Sequence, residues 1–365
     1  MKFNQFTSIH KIIDEIKECM EYLENSISIE TSSSEYLIIP KLNLVLRIDS
    51  KPSLFFAITK EFRSHQSPIM KILALGYIIF IGALLKFNLG RLFLNVVSMR
   101  GPVFYPAILG GNNRFRFIDS SNSIAILIAR DTRSAFFTQN ATSAYTNNFF
   151  SALNCIPEIF SVNDRVYFEK QIDGVAINRI FLDASQDNAS RIFIDSVFET
   201  QKKFTRFISL KTFLRYKIAT IKMYLTTSKL SEANRLLEQF ILYCSYALEN
   251  LGNIDIPVCP SHGDLNRGNV FINSKNLNII DWEYFMYRYR PYDYIIFTHN
   301  LRHLDINEYK CFFKNSNELN FSSFIFLLEE LAFRILNYKS DLPDSQMHID
   351  ALADIFSNYL VKFNE

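Results

Sequence analysis

The sequence predicts an α+β chain in which a small strand-rich part precedes a larger helical one, and three stretches carry that expectation. Residues 114–129 read as a hairpin. Arg114-Phe115-Arg116-Phe117-Ile118 alternates polar and apolar side chains, Ser120-Ser121-Asn122-Ser123 makes a turn, and 124–129 is a β-rich run ending at Arg130. Residues 205–251 read as helix, with Leu230, Ala233, Leu237, Phe240, Ile241, Cys244, Leu248 and Leu251 in one apolar stripe and Ser231 placed to cap its start. Residues 258–283 give a loop, a short apolar strand (270–272), the turn Asn273-Ser274-Lys275-Asn276, a second strand (277–280) and then an acid.

Taken in order, residues 8–25 form an amphipathic helix with Ile12, Ile13, Ile16, Cys19, Met20 and Leu23 on one face. A polar break at Thr31-Ser32-Ser33-Ser34 precedes two strands, 36–39 and 44–48, around Pro40-Lys41. Residues 54–98 are largely apolar and read as helix, with Ser67-Pro68 as a start. Their most apolar run, 72–85 between Lys71 and Lys86, has 14 residues. That is short of the ~20 needed to span a bilayer. It reads as a buried helix, with contact to a membrane surface as the alternative. Nothing in residues 1–100 carries recognisable chemistry, so they are set apart as an N-terminal extension, packed on the body or docking a partner. After Gly101-Pro102 and the turn Gly110-Gly111-Asn112-Asn113 comes the hairpin. A helical segment then runs to about residue 154, and the strands Ile159-Phe160 and Val166-Tyr167-Phe168-Glu169 lead to Asp173-Gly174. Beyond Asp293, helices are expected at 293–304, 319–337 and 346–363, the last two parted by Leu342-Pro343-Asp344.

Composition narrows the class. The 365 residues are 48% hydrophobic and 21% charged, enough for a sizeable core. With 39 basic against 37 acidic residues the net charge is +2, and no basic run stands out, so a nucleic-acid partner is not expected. Five scattered cysteines without a Cys-x-x-Cys pair read as free thiols of a reducing compartment. His299 and His303 stand four apart without a third metal ligand and read as structural. The N-terminus lacks an apolar signal region, which points to a cytoplasmic location.

Chemistry concentrates in 262–283. Asp264 can accept a proton from a substrate hydroxyl, and Asn269 and Asp281 offer the hard oxygen ligands that Mg²⁺ takes when it also bridges nucleotide phosphates. His262-Gly263-Asp264, with Asn269 five residues on and Ile280-Asp281-Trp282-Glu283 after it, resembles the aminoglycoside phosphotransferase and choline kinase family, which shares the protein-kinase fold. The resemblance implies a two-lobed kinase-like fold: an N-lobe over 101–175, with a nucleotide hinge in 166–176, and a helical C-lobe over 176–365 with the catalytic loop. It implies ATP and Mg²⁺ as cofactors, Asp264 as catalytic base, His262 as the brace of its loop, and Asn269 and Asp281 as metal ligands. Pro291-Tyr292-Asp293-Tyr294 resembles a family segment whose acid, here Asp293, supports that loop.

Two departures accompany the likeness. The lysine expected at the end of the third lobe strand is replaced by Arg130, to which the α- and β-phosphates would fall. No Asp or Glu occurs between Asp131 and Glu158, where the partner glutamate of that lysine should stand. Arginine keeps the charge but is longer and planar. Glu283 is left between a second metal ligand and a backbone bond, Trp282 reads as packing, and Arg267 as solvent-facing. Glu329, Glu330, Asp350 and Asp354 read as solvated helix faces, with a cationic substrate as the other option. The function expected is an ATP- and Mg²⁺-dependent phosphotransferase acting on a hydroxyl of a small molecule: a sugar, an amino alcohol or an aminoglycoside-like compound. The alternative is a kinase-like binding or regulatory protein without efficient catalysis. A protein kinase fits less well, because His-Gly-Asp replaces His-Arg-Asp and Trp-Glu follows Asp281. The expected partner is the small-molecule acceptor, with neither nucleic acid nor membrane.

Overall fold

A computed structural model describes residues 9–355 apart from 28, 61–67, 112, 122, 132–133, 148, 181, 183, 227–230, 253, 274–275, 304–305, 316–320, 338–346, 348 and 353. The chain forms two compact units. The first comprises Met1–Phe193 with Arg267–Glu283, and the second Ile194–Asn266 with Tyr284–Glu365.

In the first unit, α1 (Ile9–Ile27) is followed by β1 (Thr31–Ile39), β2 (Leu44–Arg47), α2 (Pro52–Ile58), α3 (Pro68–Lys86), α4 (Gly90–Phe93) and β3 (Asn95–Pro102). Then come β4 (Ala107–Gly110), β5 (Arg114–Ile118), β6 (Ile124–Ala129), α5 (Ala135–Thr146), β7 (Ile159–Ser161), β8 (Val166–Lys170) and β9 (Val175–Ala176). Eight strands make one antiparallel sheet in the order β3-β1-β2-β4-β5-β6-β8-β7. Because strand side chains alternate, each strand serves two cores. Tyr36, Ile38, Val45, Phe115, Phe117, Ile126, Ile128 and Val166 close against Ile12, Ile16, Cys19, Met20 and Leu23 of α1. On the opposite face Leu37, Ile39, Leu44, Leu46 and Ile118 pack with Leu54 and Phe55 of α2 and with Ile78, Ile81 and Leu84 of α3.

The boundary expected at residue 100 falls inside β3. Residues 31–102 supply three of the eight strands, so the extension and the first lobe share one sheet. The serine run read as a break is the solvent-lapped first half of β1, where Thr31 to Ser34 pair with Pro102 to Met99. The helix expected over 54–98 is three helices, and 95–98 already belong to β3. Nor is α3 a buried helix: only 28% of Ile69–Lys86 is buried, since one side alone meets the sheet.

The second unit begins within α6 (Ala184–Lys203), for which the sequence reading made no provision. It continues with β10 (Arg206–Ser209), α7 (Leu210–Thr226), α8 (Ser231–Leu251) and β11 (Asp255–Ser261). The chain returns to the first unit for the hairpin β12 (Val270–Asn273) and β13 (Asn276–Ile279), in which β12 pairs with β9. It re-enters the second unit for β14 (Met286–Tyr289), α9 (Tyr292–Thr298), α10 (Ile306–Asn315) and α11 (Phe321–Leu336). Strands β10-β11-β14 form a three-stranded antiparallel sheet. Residues 206–209, read as helix, are the edge strand β10. The buried face of α8 is Leu236, Phe240, Tyr243, Cys244 and Ala247, and Ile241 is exposed. Of the expected stripe Phe240 and Cys244 are in this face, Leu237, Leu248 and Leu251 are half-buried at its side, and Leu230, Ala233 and the Ser231 cap fall outside the described side chains. The helix expected over 346–363 and the break at 342–344 lie largely outside the described residues.

Glu329 and Glu330, read as solvated, are both fully buried on α11. Glu329 meets Lys217 at 2.7 Å and Arg288 at 3.0 Å, and accepts the Tyr289 amide at 2.9 Å. Such burial is sustainable only with paired charges and filled hydrogen bonds, which Glu329 has. The free cysteines are as expected: Cys19, Cys155, Cys244 and Cys259 are buried and Cys311 is exposed.

Candidate active site

In the second unit, β11 delivers the loop 262–266. Asp293, in the first turn of α9, holds its backbone: Oδ2 accepts the His262 amide at 2.7 Å, Oδ1 the Gly263 amide at 3.0 Å, and Gln201 donates to Oδ2 at 2.7 Å. Gly263 sits at φ 83°, and a Cβ there would stand 2.5 Å from the Tyr284 carbonyl oxygen, so glycine is required. The buried His262 accepts the Asp264 amide on Nδ1 at 3.2 Å, which places it as a brace inside the loop.

Asp264 is only partly buried, and its Oδ1 takes a hydrogen bond from Arg302 Nε at 2.7 Å. Arg302 is itself anchored, donating from Nη1 to Glu330 at 2.5 Å and from Nη2 to the Tyr292 hydroxyl at 2.9 Å. Its guanidinium lies 3.9 Å from the Phe333 ring centre. Arg334 reaches the same Glu330 at 2.8 Å. Burial pushes the Glu330 carboxyl up, but Arg302 and Arg334 outweigh it and hold it at about 2. The sequence reading had no role for Arg302, and 38 residues separate it from Asp264; nothing local marks it.

In the first unit, the β12–β13 hairpin brings Asn269 and Asp281 together. Val270 pairs with Ile279, and the Ile280 amide donates to the Asn269 carbonyl at 2.9 Å. Asp281 adopts φ 69°, a left-handed conformation that costs about 1 kcal/mol and clusters at functional sites. Trp282 is packing, as expected: its indole donates to the Ile279 carbonyl at 2.6 Å and its ring meets Phe150 at 5.2 Å.

The cation beside Asp281 is Arg114 of β5. Its Nη2 is hydrogen-bonded to Asp281 Oδ1, its Nη1 donates to the Tyr167 hydroxyl at 2.7 Å, and Glu283 stands 3.7 Å away. Burial works against this charge, yet Tyr167, Glu283 and Asp281 outweigh it and hold the guanidinium above its usual range. Glu283 also accepts the Asn113 amide at 3.3 Å, while its backbone carbonyl takes Asn140 of α5 at 3.1 Å. The Glu283 carboxylate thus faces the side chains of Asn113 and Arg114.

Arg130 points elsewhere. Its Nε and Nη2 bind Glu15 of α1, its Nη1 donates to the Gly111 carbonyl at 3.1 Å, and it lies over Phe115. Strand parity explains this. Arg130 follows Ile126 and Ile128, which face α1, whereas the sheet face shared with Tyr167 and Glu169 takes Arg114 and Arg116 from β5 and Leu127 from β6. Arg114↔Ala129 and Arg116↔Leu127 are directly paired, so two arginines of one strand stand beside the positions where β6 is apolar. The alternation Arg114-Phe115-Arg116-Phe117 was the available signal.

A cavity of about 290 Å³ opens in the same unit. It is bounded by the connector Gln171 to Gly174 and by Lys60, Arg116, Glu169, Phe271 and Ile280. That is near the lower end of the ~300–1,000 Å³ usual for small-molecule sites. Arg116 donates to Glu169 at 2.8 Å and Lys60 to Asp173 at 2.7 Å. Among the described residues no group of three or more His, Cys, Asp or Glu could hold a metal ion. His299 packs against Phe312 at 4.6 Å.

The strand-rich unit thus carries the hairpin flanked by Asn269 and Asp281, and the helix-rich unit carries the loop with Asp264. Residues 196–309 match the phosphotransferase enzyme family, and over that segment the chain is similar to phosphotransferases. No curated protein matches the chain. Among solved structures, the GDP complex of aminoglycoside 2'-phosphotransferase-IIIa is similar over 69% of this chain and 92% of its own, at 12% identity and a TM-score of 0.43. The choline kinase LicA of Streptococcus pneumoniae is similar over 69% and 92%, at 11% identity and a TM-score of 0.43. An ethanolamine kinase of Plasmodium vivax covers 84% of this chain and 94% of its own, at 13% and 0.39.

Proposed function

We propose that this protein is an ATP- and Mg²⁺-dependent phosphotransferase that acts on a hydroxyl of a small molecule such as a sugar, an amino alcohol or an aminoglycoside-like compound. The observation that carries the reading is the hairpin that ties Asn269 to the residue before Asp281, inside the segment matched to phosphotransferases. An amide and a carboxylate are the hard oxygen donors that suit Mg²⁺, so the donor chemistry fits the ion. Bound Mg-ATP would supply the phosphoryl group and neutralise its charge. For the rest, the chain's own residues act by position and electrostatics.

Asp264 accepts the hydrogen bond of the acceptor hydroxyl and orients it. Arg302, clamped by Glu330 and Tyr292, holds Oδ1 of that carboxylate and so sets its orientation. His262 and Asp293 hold the loop that carries Asp264. Arg114, which already sits on Asp281, takes the phosphate contact that the strand-end position 130 does not supply. The connector 171–174 and its cavity would receive the nucleotide base. The expected test is Asp264→Asn. Phosphate transfer to a panel of hydroxyl acceptors should fall by about 10²-fold or more, with Mg-ATP affinity unchanged. Transfer equal to the parent removes Asp264 from the mechanism.

One observation favours a second reading, a kinase-like binding or regulatory protein. Both candidate carboxylates are engaged by arginine, Asp264 by Arg302 and Asp281 by Arg114. Mg²⁺-dependent nucleotide binding without transfer to any acceptor would select it.

A further inference from the structure

We propose that α3 and α4 form a surface that seats the first unit on an anionic lipid bilayer. Along α3 the side chains split into two apolar faces. Ile78, Ile81, Leu84 and Leu85 are buried against the sheet and α2. Ile69, Ile72, Leu73 and Phe80 point to solvent, joined past the helix end by Phe87 and by Leu92 and Phe93 of α4. These exposed residues keep between 52% and 74% of their surface accessible. That is a contiguous patch of large side chains, not the scattered single residues common on monomers.

The charges around it indicate what covers it. Residues 68–93, which make α3 and α4, contain no Asp or Glu and hold Lys71, Lys86 and Arg91. Lys71 and Lys86 are exposed at the two ends of α3, and Arg91 is met by Glu35 of β1. A twofold contact between two copies would lay on itself a helical face whose own charges are all basic and bring like charges together. A bilayer with anionic headgroups complements it, apolar face to acyl chains and terminal lysines to phosphates. By length and composition Ile69–Lys86 could cross a membrane. With one face committed to the protein core, however, α3 lies in the interface plane and does not span.

The test is co-sedimentation of the full chain with vesicles of phosphatidylcholine alone and of phosphatidylcholine with about one-third phosphatidylglycerol. The protein should pellet with the anionic vesicles and far less with the neutral ones, and high salt should weaken the binding. Leu73→Glu with Phe80→Glu, both at exposed positions, should reduce pelleting about tenfold or more while leaving the thermal midpoint unchanged. Lys71→Gln with Lys86→Gln should erase most of the anionic preference, roughly fivefold per lysine, and keep the fold intact. Equal pelleting of the parent and the Leu73→Glu, Phe80→Glu variant overturns the proposal. So does failure to pellet with either vesicle, whether the protein is then a monomer or a dimer that the same variant dissolves.

Discussion

Glu330 is fully buried and is satisfied by three donors, Arg302, Arg334 and the Tyr292 hydroxyl. Its folded pKa of about 2 lies below the ordinary 4.5. The depressed acid therefore contributes stability that is fully present above about pH 4.5 and is lost as pH falls toward 2. Glu330→Gln should lower stability at neutral pH by roughly 3 kcal/mol. The gap to the parent should close across that acid window, as read by urea unfolding at several pH values. A gap that does not change with pH would remove the ion pair from the account. The same substitution frees Arg302 from its anchor, so any loss of Asp264 function in Glu330→Gln is a positioning effect acting through Arg302.

Among the elements, α8 shows how a correct helix can carry a partly incorrect face. The expected stripe runs through Leu237, Phe240, Ile241, Cys244 and Leu248, and the buried one through Leu236, Phe240, Tyr243, Cys244 and Ala247. The first is the more aliphatic, yet the second is buried, with Phe240 and Cys244 common to both and Leu237 and Leu248 half-buried. A sequence shows helical period but not the neighbour that fixes rotation about the axis. Phe240→Ala should cost about 3–5 kcal/mol and Ile241→Ala under about 1 kcal/mol in urea unfolding. The reverse order would contradict this packing. Arg130 fails for a related reason. The motif likeness located the end of β6, but strand parity decides the face, and 130 shares parity with Ile126 and Ile128. By contrast, the loop and hairpin over 262–281 were legible, because turn, alternation and polar residues lie within twenty positions of one another. The pairing of β1 with β3 across the α2–α4 insertion was not, since nothing local sets a register so distant.

On the scale of the molecule, the chain divides its chemistry between two units. The first holds the hairpin with Asn269 and Asp281, the arginines of β5 and the cavity; the second holds Asp264 on its braced loop. The central claim is that the first unit binds Mg-ATP with Arg114, and not Arg130, as the phosphate cation. Its most direct test is the thermal midpoint with and without Mg-ATP for the parent, Asp281→Ala, Arg114→Ala and Arg130→Ala, each read against its own ligand-free value. A ligand at ~100 times its dissociation constant adds about 2.7 kcal/mol, a shift of several degrees. The account predicts a Mg²⁺-dependent shift in the parent and in Arg130→Ala, and its loss in Asp281→Ala and Arg114→Ala. A shift that survives Arg114→Ala but vanishes in Arg130→Ala, or no shift in the parent, would contradict it.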